Sequence, residues 1–222
     1  FCVGYFNLRG WKEVAGCIDK LPGATVAEGQ DDVHRYCRLL VGMQKMPVDI
    51  LKDHFRHDDD HVIDQAEAIK LKKRLAQEFK DQLTIGTPTE ADEKALRKLS
   101  QQLKDQKVVV KLHLRYTLHA KLYLAFSDDK RVPVVGFLGS SNLTLAGLAN
   151  QGELNIDVMD QDAADKLATW FNDRWKDRWC IDITQELIEI IDNSWAADKL
   201  LSPFHIYLKM AYHLSQEARA GL

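Results

Sequence analysis

The chain has 222 residues, of which 45% are hydrophobic, and a formal net charge of −3. This length suits one large α/β domain with a sizeable core, and the slightly acidic balance excludes a strongly basic nucleic-acid binder that works through its whole surface. The four cysteines show no Cys-x-x-Cys spacing, and no apolar run reaches the roughly 20 residues that span a bilayer. We therefore expect a cytoplasmic protein with reduced thiols, without a zinc ribbon and without membrane association.

The first half of the chain predicts helices around one buried strand. A short helix is expected over residues 11–21, and the apolar run Arg38–Gly42 predicts a strand of the central sheet. Apolar residues at near-helical spacing predict a long amphipathic helix from Val62 to Leu83. Thr87-Pro88-Thr89-Glu90 has the form of a capping box with proline at the first helical position, so a further helix should run on through Leu103.

The middle of the chain predicts a series of strands. In the first strand, Val108 to Leu114, His113 alternates with Lys111 and Arg115, which favours a solvated histidine. The next strand carries His119 and Lys121. A polar hairpin, a second apolar strand and a third strand should follow it, at Ser127–Arg131, Val134–Leu138 and Glu153–Met159.

The last third of the chain predicts three helices. The first, about Asp162 to Arg178, carries Trp170, Phe171 and Trp175 at a spacing that is more typical of a core stripe than of base-stacking residues. The others should cover Thr184–Asp192 and, from an N-cap at Ser202-Pro203, a terminal helix reaching Ala218. The predicted fold is thus an α/β sandwich, with a central mixed sheet between helices on both faces.

The segments around His119 carry the residues for phosphodiester chemistry. His119 and Lys121 are two apart in a strand, so their side chains should project from one face of the sheet. A neutral imidazole can attack phosphorus if an acceptor holds its other nitrogen, and Glu153 is a candidate acceptor. Lys121, Asn142 and the backbone of the turn Gly139-Ser140-Ser141-Asn142 could stabilise the charge on the phosphoryl oxygens. This chemistry requires no metal ion or other cofactor.

These residues resemble the phospholipase D superfamily, through His119-x-Lys121, the turn that ends at Asn142, and Glu153. In most of that superfamily an aspartate follows the lysine after four intervening residues. The corresponding residue of this chain is Phe126. Some metal-independent nucleases of the superfamily are similar to this chain in lacking that aspartate. The resemblance implies a nuclease-like phosphodiesterase with His119, Lys121, Asn142 and Glu153 as catalytic residues and a phosphohistidine intermediate.

The chain contains a single His-x-Lys motif, whereas the two-step mechanism of the superfamily uses two histidines, one as nucleophile and one as general acid. We therefore expect a homodimer in which two copies share one active site. An internal alternative for the second histidine is His113. Substrate contacts are expected from Ser140 and Ser141 of the turn. Positive charge concentrates around the motif, so Lys111 and Arg115 are further candidates for contacts with a phosphate backbone, and an ordinary role as solvating strand residues is an equal alternative for them.

A second resemblance concerns the two ends of the chain. Gly4-Tyr5-Phe6-Asn7-Leu8 and the segment from Ser202 to Met210 are similar to phospholipase D-like N-terminal domains of bacterial helicases and to the segment that links them to the motor. This implies a phospholipase D-like domain over residues 1–200, a terminal helix over 201–222, and a helicase motor downstream. The expected substrate is DNA, with RNA left open.

Three alternatives remain at this point. The domain could be a non-catalytic module for DNA docking or dimerisation of a helicase. A lipid phosphodiesterase is disfavoured because the sequence lacks membrane-binding features. Finally, residues 54–61 contain three histidines, His54, His57 and His61, and three consecutive aspartates. They could bind a divalent cation, although their spacing matches no metal motif.

Overall fold

The computed structural model describes residues 1–24, 35–42, 65–84, 89–115, 118–197, 207 and 210–211. These residues form a seven-stranded sheet in the order β6-β5-β4-β1-β2-β3-β7. β1, β2 and β3 run parallel and the other neighbouring strands are antiparallel, so the sheet is mixed, as predicted. The strands are β1 (Cys2–Val3), β2 (Cys37–Val41), β3 (Val108–His113), β4 (Lys121–Phe126), β5 (Val134–Gly139), β6 (Asn155–Val158) and β7 (Cys180–Asp182).

Helices cover both faces of this sheet, which confirms the predicted α/β sandwich. The helix expected over residues 11–21 is instead a 3₁₀ helix followed by one short α-helix, and it begins earlier because the Asn7 side chain accepts a hydrogen bond from the Arg9 N–H. The helices are the 3₁₀ helix (Leu8–Glu13), α1 (Ala15–Ile18), α2 (Gln65–Thr84), α3 (Glu90–Lys104), a π-helical turn (Ala146–Asn150), α4 (Gln161–Trp175) and α5 (Thr184–Asp192).

The start of α3 corrects the predicted capping box by two residues. Thr89 is the N-cap, its hydroxyl accepts from the Asp92 N–H, and the Asp92 carboxylate accepts from the Thr89 N–H. A capping box requires partners three residues apart, and both Thr87/Glu90 and Thr89/Asp92 meet this requirement in the sequence. The structure uses the second pair. Most of the predicted terminal helix, and the first residues of the predicted helix from Val62, lie outside the described residues.

Two hydrophobic clusters hold the layers together. The larger cluster joins one face of the sheet, including Val41 and Leu112, to α2, α3 and α5. The smaller cluster joins the other face, including Leu40 and Leu122, to Phe171 and Trp175 of α4. The prediction that the α4 aromatics belong to the core is therefore confirmed for these two residues. None of the described helices combines the length and apolar character needed to cross a membrane.

His113 is fully buried, which corrects the expectation of a solvated residue. It pairs in register with Cys180 of β7, and its Nδ1 atom lies 3.5 Å from the Cys180 Sγ atom. Burial lowers the pKa of His113 to about 4, with Asp177 acting in the opposite direction. The sequence pattern was misleading because β7 pairs with the free edge of β3, and the end of α4 covers the face of β3 that alternation with Lys111 predicts to be solvated.

Candidate active site

Several strands end or begin along one edge of the sheet, and the residues predicted to be functional meet there. β1 and β2 end at this edge, β4 starts there, β5 ends there and β6 starts there. The chain enters β4 by passing across the ends of β2 and β1. A Cβ atom at Gly42 would lie 1.9 Å from the Leu118 carbonyl oxygen, so only glycine permits this passage.

His119 and Lys121 lie side by side at this edge. Lys121 is the first residue of β4, and His119 precedes the strand. The Lys121 Nζ atom is 3.0 Å from Nδ1 and 3.2 Å from Nε2 of His119, and it donates to the His119 carbonyl oxygen at 3.3 Å. Because the imidazole of His119 is exposed, a phosphate group could reach the histidine and the ammonium group together. The two side chains are thus adjacent, as their spacing in the sequence predicts.

Asn142 lies at the end of the turn that follows β5, with its amide held in one orientation. Its Oδ1 atom accepts a hydrogen bond of 3.0 Å from the Tyr5 backbone N–H. The Asn142 Nδ2 group makes no hydrogen bond with another described residue, and neither do the backbone N–H groups of Ser141 and Asn142. These donors are the type of group that stabilises phosphoryl oxygens.

Glu153 is bonded to the same turn. The Ser140 hydroxyl donates to Glu153 Oε2 and accepts from the Leu154 N–H at 3.1 Å. Glu153 is the candidate acceptor for the ring nitrogen of His119, but no hydrogen bond joins these two side chains among the described residues. In this single copy the carboxylate therefore orients Ser140 rather than the imidazole.

Ser141 faces inwards. It is buried, its hydroxyl accepts from the Asn155 side chain at 2.8 Å, and its carbonyl oxygen accepts from the Tyr123 hydroxyl at 2.9 Å. The side chain of Ser141 thus supports the turn and is not available to a substrate. Sequence reasoning missed Tyr123 and Tyr5 as supports of the turn. Tyr123 is two residues from Lys121, so its position on the same face was readable from strand alternation.

The charges at this edge influence one another. Burial lowers the pKa of Lys121, and the nearby negative charge of Glu153 opposes that effect. Burial and the same carboxylate raise the pKa of Tyr123. Glu153 is therefore close enough to stabilise the ammonium form of Lys121, the form that binds a phosphate oxygen.

Two residues predicted to contact substrate lie elsewhere. Lys111 is in register with Leu40, on the sheet face opposite Lys121, and its Nζ atom donates to the Trp175 carbonyl oxygen and lies 4.6 Å from the centre of the Trp175 ring. Arg115 follows β3, at the same end of the strands as His119 but several strands away, and its side chain pairs with Asp177 at 3.7 Å. Three strand spacings, about 14 Å, separate β3 from β4. The structure thus does not bring Lys111 to His119.

Phe126 lies far from the histidine. It is the last residue of β4, where it pairs with Val134, and the five-residue separation from Lys121 corresponds to about 16 Å along the strand. The position at which most of the superfamily has aspartate is thus at the opposite end of the strand from the candidate site. The His54–His61 segment lies outside the described residues, among which no group of three or more histidine, cysteine, aspartate or glutamate residues is arranged to hold a metal ion.

Comparison with known proteins agrees with this geometry. No curated protein matches the chain. The family model described as "Cardiolipin synthase, PLD-like domain" matches residues 37–175, more than half of the chain and a range that contains His119, Lys121, Asn142 and Glu153. The match supports the phospholipase D superfamily and carries no sign of the helicase resemblance. The chain therefore belongs to the phospholipase D-like family, whose domains typically cleave phosphodiester bonds.

Proposed function

We propose that this domain hydrolyses DNA phosphodiester bonds without a metal ion, through a phosphohistidine formed on His119. The observation that carries the proposal is the contact between His119 and Lys121, beside a turn in which the N–H groups of Ser141 and Asn142 make no hydrogen bond with another described residue. Lys121, Asn142 and the backbone of Ser141 would bind the non-bridging oxygens. Ser140 and Glu153 would hold the turn and keep Lys121 charged.

The reaction has two steps, and both conserve protons and atoms. In the first step a nitrogen of His119 attacks phosphorus, the N–P bond forms, and the P–O bond to the leaving nucleoside oxygen breaks while a second histidine donates a proton to that oxygen. In the second step the second histidine, which is neutral after donating its proton, removes a proton from a water molecule. The water oxygen attacks phosphorus and the N–P bond breaks, which restores both histidines.

The second histidine would be His119 of another copy of the chain. The internal candidate, His113, is fully buried and bonded in the β3–β7 region, so it cannot reach a substrate. Apolar side chains that a second copy could cover are exposed beside the site: Leu154 is 83% exposed and Ile156 64%. Leu154 directly follows Glu153, which places this apolar surface next to the residues that would need a partner.

The choice of DNA rests on the resemblance to nuclease-like branches of the superfamily and to helicase N-terminal domains. In that setting the chain would be the accessory domain of a DNA helicase whose motor lies outside this sequence. The remoteness of Phe126 from His119 supports retained catalysis, because the residue that departs from the family pattern is not among those that surround the histidine.

The decisive experiment is cleavage of end-labelled single- and double-stranded DNA in the presence of EDTA. The wild-type chain should cut, and His119→Ala should lose at least about a hundredfold in rate because the nucleophile is absent. Lys121→Gln should also fall strongly, whereas Lys130→Gln, which removes the same charge from the exposed β4–β5 hairpin, should not. DNA binding without cleavage by any variant would instead identify the non-catalytic docking or dimerisation module.

A further inference from the structure

Helix α2 carries a group of exposed cations that form no ion pair with a described residue. Several lysines on the described helices do form ion pairs, as in Lys98 with Asp19 and Lys104 with Asp192. On α2, Lys72 also forms one, with Glu186 at 2.8 Å. By contrast, Lys70, Lys73, Arg74 and Lys80 make no ion pair or hydrogen bond with another described residue, and all four are exposed.

These four cations lie on the exposed side of the helix, which we call the basic face of α2. Two exposed acids, Glu78 and Asp81, lie at its border beside Arg74, and the Asp81 carboxylate accepts from the Gln77 side chain at 2.8 Å, so cations outnumber acids among the described side chains of this side. Lys70, Lys73 and Lys80 are separated by three and seven residues, spacings that place side chains above one another on an α-helix, and Arg74 lies beside Lys70 and Lys73. At 1.5 Å per residue, Lys70 and Lys80 are about 15 Å apart along the axis. A row of this length matches about four phosphates of one nucleic-acid strand.

The opposite side of α2 is fixed to the strand end that builds the active site. Phe79 is buried and packs edge-to-face on Phe6 with the ring centres 6.0 Å apart. Gln82 accepts from the Leu8 N–H at 3.3 Å and donates to the Phe6 carbonyl oxygen at 3.2 Å. Tyr5, the next residue of this segment, holds the Asn142 amide. The basic face therefore ends at Lys80, two residues before Gln82. Gln82 in turn is bonded to the segment that begins with Tyr5 and positions Asn142.

The chemistry of this face selects a polyanion. Unpaired cations in a row gain free energy by replacing the counterions of a phosphate backbone. An anionic membrane would use the same charge but would also require bulky apolar side chains to enter the bilayer. Among the α2 side chains whose burial the structure describes, Ile69 is the only large apolar one that is exposed, which favours a polynucleotide.

We propose that the basic face of α2 binds the sugar–phosphate backbone of the polynucleotide on one side of the cleaved bond. The proposal rests on the proposed function for the identity of the ligand, and it adds the path that the ligand follows away from His119. The contacts are to phosphates, so they contribute affinity without base specificity.

The test is a charge-matched comparison of two triple variants of the full chain. In the first, Lys70, Lys73 and Lys80 are changed to glutamine, and in the second Lys94, Lys166 and Lys176, which lie on other helices or beyond their ends, are changed in the same way. Binding of a fluorescent 20-nucleotide DNA is measured by anisotropy across salt concentrations. The first variant should bind at least about tenfold more weakly at low salt, and its slope of log affinity against log salt should be lower by about two for a single strand.

Several outcomes decide the matter. Equal loss of affinity in both triple variants, or unchanged affinity and slope in the first, would overturn the proposal. Binding to phosphatidylglycerol vesicles without binding to DNA would also overturn it and indicate a membrane. Hydrolysis of bis(4-nitrophenyl) phosphate, which is too small to reach α2, should be equal in wild type and in both variants. If the wild type hydrolyses neither substrate, the proposed function fails, but the binding comparison still tests the basic face.

Discussion

Gly4 leaves the space in which the imidazole of His119 lies. A Cβ atom at this position would be 3.2 Å from Cδ2 and 3.3 Å from Cα of His119. Both distances are shorter than relaxed carbon contacts, and the Cα atom belongs to the backbone, which cannot rotate away. The position of His119 therefore depends in part on the absence of a side chain at Gly4, directly after β1.

We expect Gly4→Ala to shift His119 by a few tenths of an ångström and to lower the DNA cleavage rate about tenfold, because reaction rates depend steeply on the geometry of attack. The rate would be measured in EDTA, and the melting temperature would show whether the fold survives. Gly16→Ala is the matched control, since a Cβ atom there meets nothing within 4 Å. Full activity of Gly4→Ala with an unchanged melting temperature would contradict this account.

At the scale of the elements, the pairing of β3 with β7 depends on a neutral histidine. Because burial lowers the pKa of His113 to about 4 from its ordinary 6.5, protonation favours the unfolded chain. The contribution of neutral His113 to the free energy of unfolding is fully present above pH 6.5 and is lost as the pH falls towards 4. At pH 5 the free energy of unfolding is lower than at neutral pH by about 2 kcal/mol from this cause.

We therefore expect the free energy of urea unfolding to fall more steeply between pH 8 and pH 5 in the wild type than in His113→Asn. His119→Asn serves as the control, since that residue is exposed and its loss should leave the steep dependence in place. Parallel pH profiles for the wild type and His113→Asn would show that His113 does not titrate between the two states in the way its burial requires.

For the whole molecule, a shared active site makes a prediction about mixed dimers. If His119 acts from both copies, a dimer of one wild-type chain and one His119→Ala chain is inactive. After subunit exchange, the activity per wild-type chain should fall to about half in an equal mixture and approach zero with excess variant. Independent sites would leave the activity per wild-type chain constant at every ratio.

The same mixing with Lys130→Gln should leave the activity unchanged. Light scattering on a sizing column gives the oligomeric state directly. Leu154→Asp, which places a charge on the exposed apolar surface beside Glu153, should yield monomers with little activity. A monomeric wild type with full activity would exclude the dimer.

Much of the local structure could be predicted from sequence because it depends on neighbouring residues. The short apolar run of β2, the β4–β5 hairpin and the helix Thr184–Asp192 follow from periodicity and turn residues. The order of the motif residues predicted that His119, Lys121 and Asn142 lie near one another, and the structure places them at the same end of the strands. Predictions went wrong where two local patterns were equally good, as at Thr89, or where a distant segment covered a strand, as at His113.

The sequence by itself determined the chemical types at the site, a histidine with a lysine two residues later, an asparagine after a turn, and a glutamate. Only the tertiary structure decided the partners of these residues. Strand order brings Tyr5 to Asn142, bonds Glu153 to Ser140, and places Lys111 on the opposite face of the sheet from Lys121. These contacts join residues that are far apart in the chain, so local propensities carry no information about them. They are set by the register and order of strands, which the burial of the two hydrophobic clusters selects.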